Sequence, residues 1–266
     1  MHETMRPLGF GETLDGAFTL LRRNFSAFFG IALLPQIPVI LFWFIVPLLL
    51  AGAADLDAMQ AASLLLMPYS LFATMLVMAS LTDAAGVAYG GEEPGIGGSL
   101  RRGLRRWLPI AVVSVVTTIL MILGFFLLLV PGLIAIAMFF AVYPAVMIED
   151  RGPFDAMGRS RRLSRGARLR ILGLLAVALL ITYLPVMALG MIAGVSIGIT
   201  AALNAASFEN TNMWLTGLLQ AGGIVLGAIT TPFLITVVVL MYFDRRARTE
   251  APDLESAVAA LQDHAV

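Results

Sequence analysis

Five stretches of this chain carry no charge: residues 24–54, 58–82, 107–148, 171–208 and 210–243. Each is longer than the roughly 20 apolar residues needed to cross a bilayer core. The charges between them are sorted by sign. Arginines gather at 6–23, 101–106, 151–170 and 245–248, whereas the segments around Asp55–Asp57 and Glu209 hold none. Arginine-rich loops stay cytoplasmic during insertion, so these clusters mark one side. The chain must therefore cross an even number of times between successive clusters. Two crossings fit between Arg23 and Arg101, split by Asp55-Leu56-Asp57. Two more fit in the run 107–148, with Val130-Pro131-Gly132 as the turn, because proline presets φ and glycine accepts positive φ. The last two lie between Arg170 and Arg245, with Asn204 to Asn212 outside. The pattern predicts an all-α integral membrane protein with spans at about 27–51, 62–89, 108–130, 132–148, 170–194 and 214–243. Both termini are expected in the cytoplasm. A β-barrel would need alternating strands of about ten residues instead.

Each odd-numbered span follows a cationic amphipathic segment. Phe10, Leu14, Ala17, Phe18, Leu21 and Phe25 recur at helical spacing before the first, with Glu12, Asp15, Arg22 and Arg23 on other faces. Ser99 reads as an N-cap before the third span, where Leu100, Leu104 and Trp107 form a stripe beside Arg101, Arg102, Arg105 and Arg106. Phe154, Met157 and Leu163 do the same before the fifth. The chain thus reads as three degenerate units, each an interfacial helix followed by a transmembrane hairpin. Residues 1–248 are expected to form one membrane domain, with 1–26 as an amphipathic cytoplasmic lead. A short amphipathic tail over 249–266, beginning near Pro252-Asp253, carries Leu254, Val258 and Leu261. Residues 1–23 lack the features of a cleavable signal, so the first span should act as an uncleaved insertion signal.

Composition narrows the chemistry. The 266 residues are 59% hydrophobic and 13% charged, too little charge to cover a water-exposed surface. All 17 basic residues are arginines, there is no cysteine, and the two histidines, His2 and His264, lie near the ends. Thiol chemistry is excluded. A histidine metal site is not expected, and no metal or cofactor is implied.

Asp83 is the ionisable residue that lies well inside an expected span. A carboxylate there points to function or to a buried ion pair with Arg101 or the first amphipathic helix. Prolines 35, 38, 47, 68, 144, 185 and 232 interrupt helix ladders, as in transport sites and also in ordinary bundles. Gly190, Gly194 and Gly198 in the fifth span, with Gly223 and Gly227 in the sixth, suggest close packing of those two helices. The segment 149–170 is the densest in charge. Its mixed signs predict internal ion pairs. Surplus arginines, with Arg159, Arg162, Arg165 and Arg168 as candidates, would remain for lipid phosphates.

Three segments carry a family resemblance. The first runs from Arg6 and Pro7 through Gly9-Phe10-Gly11-Glu12 to Asp15 and Arg22-Arg23-Asn24-Phe25. The second reads Pro144-Ala145-Val146-Met147-Ile148-Glu149-Asp150, then Ala156, Arg159-Ser160, Leu163 and Gly166. The third reads Pro232-Phe233, then Tyr242-Phe243-Asp244-Arg245-Arg246-Ala247-Arg248 and Asp253-Leu254-Glu255. In this order they resemble the glycerophosphoryl diester phosphodiesterase membrane-domain family of prokaryotes. One departure is Arg245, where that family often carries an apolar residue. The resemblance implies a stand-alone membrane domain of the prokaryotic cytoplasmic membrane, without the catalytic barrel that some members carry. Phosphodiesterase activity is not expected, because no catalytic constellation is visible. The expected function is a non-catalytic, lipid-interacting or accessory membrane module. Its expected partners are phospholipids and an unidentified membrane protein, with no nucleic acid. The alternative is a small transporter, channel or lipid-moving protein.

Overall fold

The computed structural model describes residues 8–49, 56–203 and 208–263, and no strand occurs among them. Arg6 and Pro7 of the N-terminal motif lie outside these residues, as do most of the turn at Asp55 and part of the segment 204–212.

Helix α1 (Phe10–Arg23) ends at Asn24 and is followed by α2 (Phe25–Leu33). Pro35 then forces a 3-10 turn, Leu34–Gln36, before α3 (Ile37–Leu49). The Pro35 carbonyl accepts the Tyr69 hydroxyl at 2.9 Å, so a neighbouring helix satisfies the interrupted backbone. Next come α4 (Leu56–Tyr89), α5 (Ile96–Arg105), α6 (Trp107–Leu127), α7 (Leu129–Phe139) and α8 (Val142–Met147). The chain closes with α9 (Pro153–Ser164), α10 (Arg168–Leu203) and α11 (Phe208–Asp263). Pro68 and Pro185 are accommodated inside α4 and α10.

Six stretches are long and apolar enough to cross a membrane: Phe25–Ile45, Ser63–Tyr89, Trp107–Leu127, Leu129–Met147, Arg168–Ile192 and Gly217–Glu250. They overlap the expected spans throughout and fit a multi-pass membrane protein. Apolar side chains such as Leu65, Phe126 and Met191 stand exposed along them, as a lipid-facing surface requires.

Four local expectations change. The turn between α6 and α7 is at Leu128, which is extended (φ −172°, ψ 161°), and Pro131 and Gly132 already belong to α7. Proline costs nothing there, because the first helical turn has no partner for its missing N–H. Gly132 is needed for close approach, since a Cβ would lie 2.5 Å from the Phe125 ring. Ser99 is not an N-cap. Helix α5 starts after Gly95, and Ser99 is buried inside it. The glycines of α10 and α11 do not make their contact, because a Cβ on Gly190, Gly194, Gly223 or Gly227 would meet nothing within 4 Å. Gly198 lies outside the residues whose surroundings are described. Instead, Ile171, Leu174, Leu175 and Ala178 of α10 share a core with Phe233, Val237, Leu240 and Met241 of α11. Finally, α11 runs to Asp263 through Pro252, so the tail prolongs the last span's helix.

Helix α11 joins two of the apolar cores. Phe233, Val237 and Tyr242 pack with α1, α7, α9 and α10, while Ala228, Ile235 and Val239 pack with α2 and α4. The three amphipathic segments are indeed helices, and each docks in the same way. Helix α5 packs on α4, α9 on α7 and α8, and α1 on α11. All three begin after a glycine N-cap: Gly9, Gly95 and Gly152. Three residues into each, a small buried residue is followed four later by another: Thr13 and Ala17, Ser99 and Gly103, Ala156 and Ser160. That spacing places each pair on one helix face. Small residues let backbones approach closely. The contact is tightest at Gly103, where a Cβ would overlap the Ser80 hydroxyl and lie 3.1 Å from Leu76 Cδ1. Ser160 adds hydrogen bonds, donating to the Met138 carbonyl at 2.7 Å and accepting from the Ala141 N–H at 3.0 Å.

Candidate functional site

The docking register brings charge to the ends of the second, fourth and sixth apolar helices. Each carries an enclosed carboxylate: Asp83 on α4 and Asp244 on α11 are buried, and Glu149, just after α8, is nearly so. The arginine three residues past the first small residue reaches the carboxylate in two of the three cases. Arg102, three after Ser99, places Nε 3.0 Å from Asp83 Oδ1. Arg159, three after Ala156, meets Glu149 Oε1 at 2.8 Å through Nη2 and at 3.0 Å through Nε. In α1 the same position is Gly16, which lies on Leu240 of α11. Asp244 is held otherwise. The Leu8 N–H donates to it at 2.8 Å, Arg248 Nε donates at 2.9 Å, and Arg170 stands 3.5 Å away. Arg248 and Arg170 also donate to the Leu8 carbonyl, tying the start of α1 to α10 and α11.

Glu149 is the hub. Arg151 and the Tyr242 hydroxyl donate to it as well as Arg159. Burial opposes its charge, but these hydrogen bonds outweigh that cost and hold its carboxyl at about 2. Arg159 is opposed by burial in the same way, and its bonds to Glu149 and Glu250 push its pKa up. Glu250 receives Arg246 at 2.8 Å, which extends the network along α11. Asp150 has φ 54°, a left-handed conformation that Asp tolerates better than most residues, and it pairs with Arg106 at the start of α6.

The arginines therefore divide. Arg159 is 12% exposed and paired with two carboxylates, Glu149 and Glu250. Arg246 and Arg248 are likewise bound to carboxylates. Arg245 donates to the carbonyls of Leu163 and Arg165, pinning the end of α9 to α11. By contrast, Arg101, Arg105, Arg161, Arg162, Arg165 and Arg168 are exposed and make no ion pair among the described residues. Of the four lipid candidates, Arg162, Arg165 and Arg168 stand together where α9 turns into α10, around Gly166 at φ 75°. Positive φ favours glycine at such a helix end.

Glu12 caps the Gly9 N–H at 2.7 Å, Asp15 is exposed on α1, and Pro144 and Pro232 are buried. Asp83 pairs with Arg102 rather than Arg101, because only Arg102 has the docking phase. Among the described residues its Oδ2 has no hydrogen-bond partner, and the Ser99 hydroxyl faces the carboxylate without a well-formed bond. Among the described residues, no group of three or more His, Asp or Glu side chains could hold a metal ion.

No curated protein and no solved structure matches the chain. A family pattern described as a domain of unknown function, DUF7847, matches residues 95–245, from the cap of α5 to the arginine after Asp244. That is more than half of the chain and takes in α5, α9 and the four apolar stretches that follow them, the last as far as Arg245. The protein belongs to this family.

Proposed function

We propose that this protein is a non-catalytic integral membrane module of the prokaryotic cytoplasmic membrane. Its six spans form three hairpins with both termini inside, and its arginine-rich face engages inner-leaflet phospholipids or supports a membrane protein partner. The motifs quoted above further suggest kinship with glycerophosphoryl diester phosphodiesterase membrane domains.

One observation carries this reading: the arginines fall into two sets. One set is neutralised by buried carboxylates and holds the amphipathic helices in place. The other is exposed and unneutralised among the described residues, and within it Arg162, Arg165 and Arg168, gathered at the α9–α10 corner, are the lipid contacts. A guanidinium lying in the headgroup layer finds phosphate oxygens as its natural bidentate partner. Each such residue contributes about 1 kcal/mol of attraction to an anionic leaflet, so three together favour anionic lipid by roughly a hundredfold.

The test is lipid retention by purified protein offered phosphatidylglycerol or phosphatidylcholine. The wild type should prefer the anionic lipid, and Arg162→Gln/Arg165→Gln/Arg168→Gln should lose most of that preference. Retention indifferent to headgroup, or unchanged in the triple variant, would count against the reading.

A second reading, transport, draws on Asp83 with its unpartnered Oδ2 beside the buried hydroxyls of Ser80 and Ser99. Solute or lipid flux in proteoliposomes that is abolished by Asp83→Asn would favour it.

A further inference from the structure

Helix α1 leaves a second kind of surface beyond the α9–α10 corner. Its small face, Thr13 and Ala17, is consumed by docking. On another side, Phe18 packs its ring on Phe233 of α11, with centroids 4.3 Å apart, yet remains 48% exposed. One turn later come Arg22 and Arg23, both exposed and without an ion pair among the described residues. The nearest acid earlier on the helix is Asp15. It is seven residues before Arg22, about 10 Å along the axis, too far to neutralise it. A cleft of about 520 Å³ is lined by Phe18, Thr19, Arg22 and Arg23. Helical spacing of four puts Phe18 beneath Arg22 and Thr19 beneath Arg23. The cleft therefore grades from an aromatic floor, through a hydroxyl, to two guanidinium groups.

We propose that this cleft is a discrete binding site for one anionic phospholipid. The phosphate lies between Arg22 and Arg23, Thr19 donates to a headgroup or glycerol oxygen, and an acyl chain runs along the exposed face of the Phe18 ring, which Phe233 backs from the core. Two arginines supply a fork for phosphate oxygens. No described lining residue is acidic, so a choline or ethanolamine ammonium finds no partner, and the site selects headgroups without one. A free phosphate would use the arginines but leave the aromatic floor exposed, which is why lipid is the occupant. This rests on the reading that α1 lies at the inner leaflet, but it assigns a site separate from the α9–α10 arginines.

The test is native mass spectrometry of the full chain in mild detergent, titrated with phosphatidylglycerol. Arg22→Gln/Arg23→Gln should weaken retention of one lipid by roughly tenfold or more. Arg101→Gln/Arg105→Gln, with the same charge loss on α5, should retain it. Thr19→Trp, which fills the cleft and keeps both arginines, should also expel the lipid. Inorganic phosphate at millimolar concentration should not displace it. Equal losses in the two double variants would reduce the effect to bulk charge and overturn the site. So would retention in Thr19→Trp, and displacement by inorganic phosphate would assign the cleft to a soluble anion. If the α9–α10 triple variant alone loses lipid preference, this site fails while the general reading stands.

Discussion

Gly103 offers a direct way to perturb the docking of the amphipathic helices. A Cβ at this position would overlap the Ser80 hydroxyl, with Leu76 Cδ1 at 3.1 Å and the Ser80 backbone nitrogen at 3.3 Å. The hydroxyl can rotate away, but the backbone nitrogen moves only with α4. Gly103→Ala therefore adds overpacking, about 1–3 kcal/mol. It also gains roughly 1 kcal/mol of helix propensity. Gly98, on the same helix, separates these effects, because a Cβ there meets nothing within 4 Å. Gly98→Ala should stabilise by up to about 1 kcal/mol. The difference between the two substitutions isolates the packing cost, about 1–3 kcal/mol. At about 2–4 °C per kcal/mol for a chain of this size, Gly103→Ala should melt several degrees below Gly98→Ala in the same detergent. Ser80→Gly in the Gly103→Ala background should recover part of the loss once its own propensity cost is subtracted, because it removes the overlapping hydroxyl. A Gly103→Ala protein that melts at or above Gly98→Ala would refute close α4–α5 contact at this position.

Two further expectations follow from the carboxylates. Glu149→Gln leaves Arg159 and Arg151 without their shared charge and should cost roughly 3–5 kcal/mol in thermal unfolding. Because the Glu149 pKa is lowered in the fold from 4.5 to about 2, its charge contributes fully above about pH 4.5. The stability gap between wild type and Glu149→Gln should therefore shrink as pH falls from 4.5 toward 2, and a gap that widened with acid would contradict the hub. Asp244→Asn weakens the anchor on Leu8, so hydrogen exchange at the start of α1 should accelerate while α6 and α7 exchange as before.

Much of the fold was legible because lipid imposes a coarse rule. Charge-free runs between arginine clusters pointed to six spans, and the described residues hold six helices long and apolar enough to cross a membrane; the three amphipathic segments proved helical. The docking faces were not legible, for a physical reason. The large apolar stripes, Phe10, Phe18, Leu104 and Trp107, are 40–48% exposed. The buried faces are the small residues Thr13 and Ala17, Ser99 and Gly103, Ala156 and Ser160. In water the larger apolar side chain seeks the interior, whereas beside lipid it gains little by doing so and small residues take the contact. The repeated glycine cap and paired small residues were present in the sequence, but amphipathic periodicity does not detect them. Mixed charge over 149–170 correctly suggested internal ion pairs. The partners Tyr242 and Glu250, however, come from a distant helix, and only packing brings them to Glu149 and Arg159. Those partners enclose Arg159, which the sequence alone placed among the lipid candidates.

The absence of native cysteine permits a clean test of whether the three amphipathic helices share the cytoplasmic face. Single cysteines at Thr19, Gly97 and Gly158, exposed positions on α1, α5 and α9, would be probed with a membrane-impermeant maleimide in intact cells and inverted vesicles. All three should label only in inverted vesicles. Labelling of any one from the outside would break the parity of two crossings per unit and, with it, the single arginine-rich inner face.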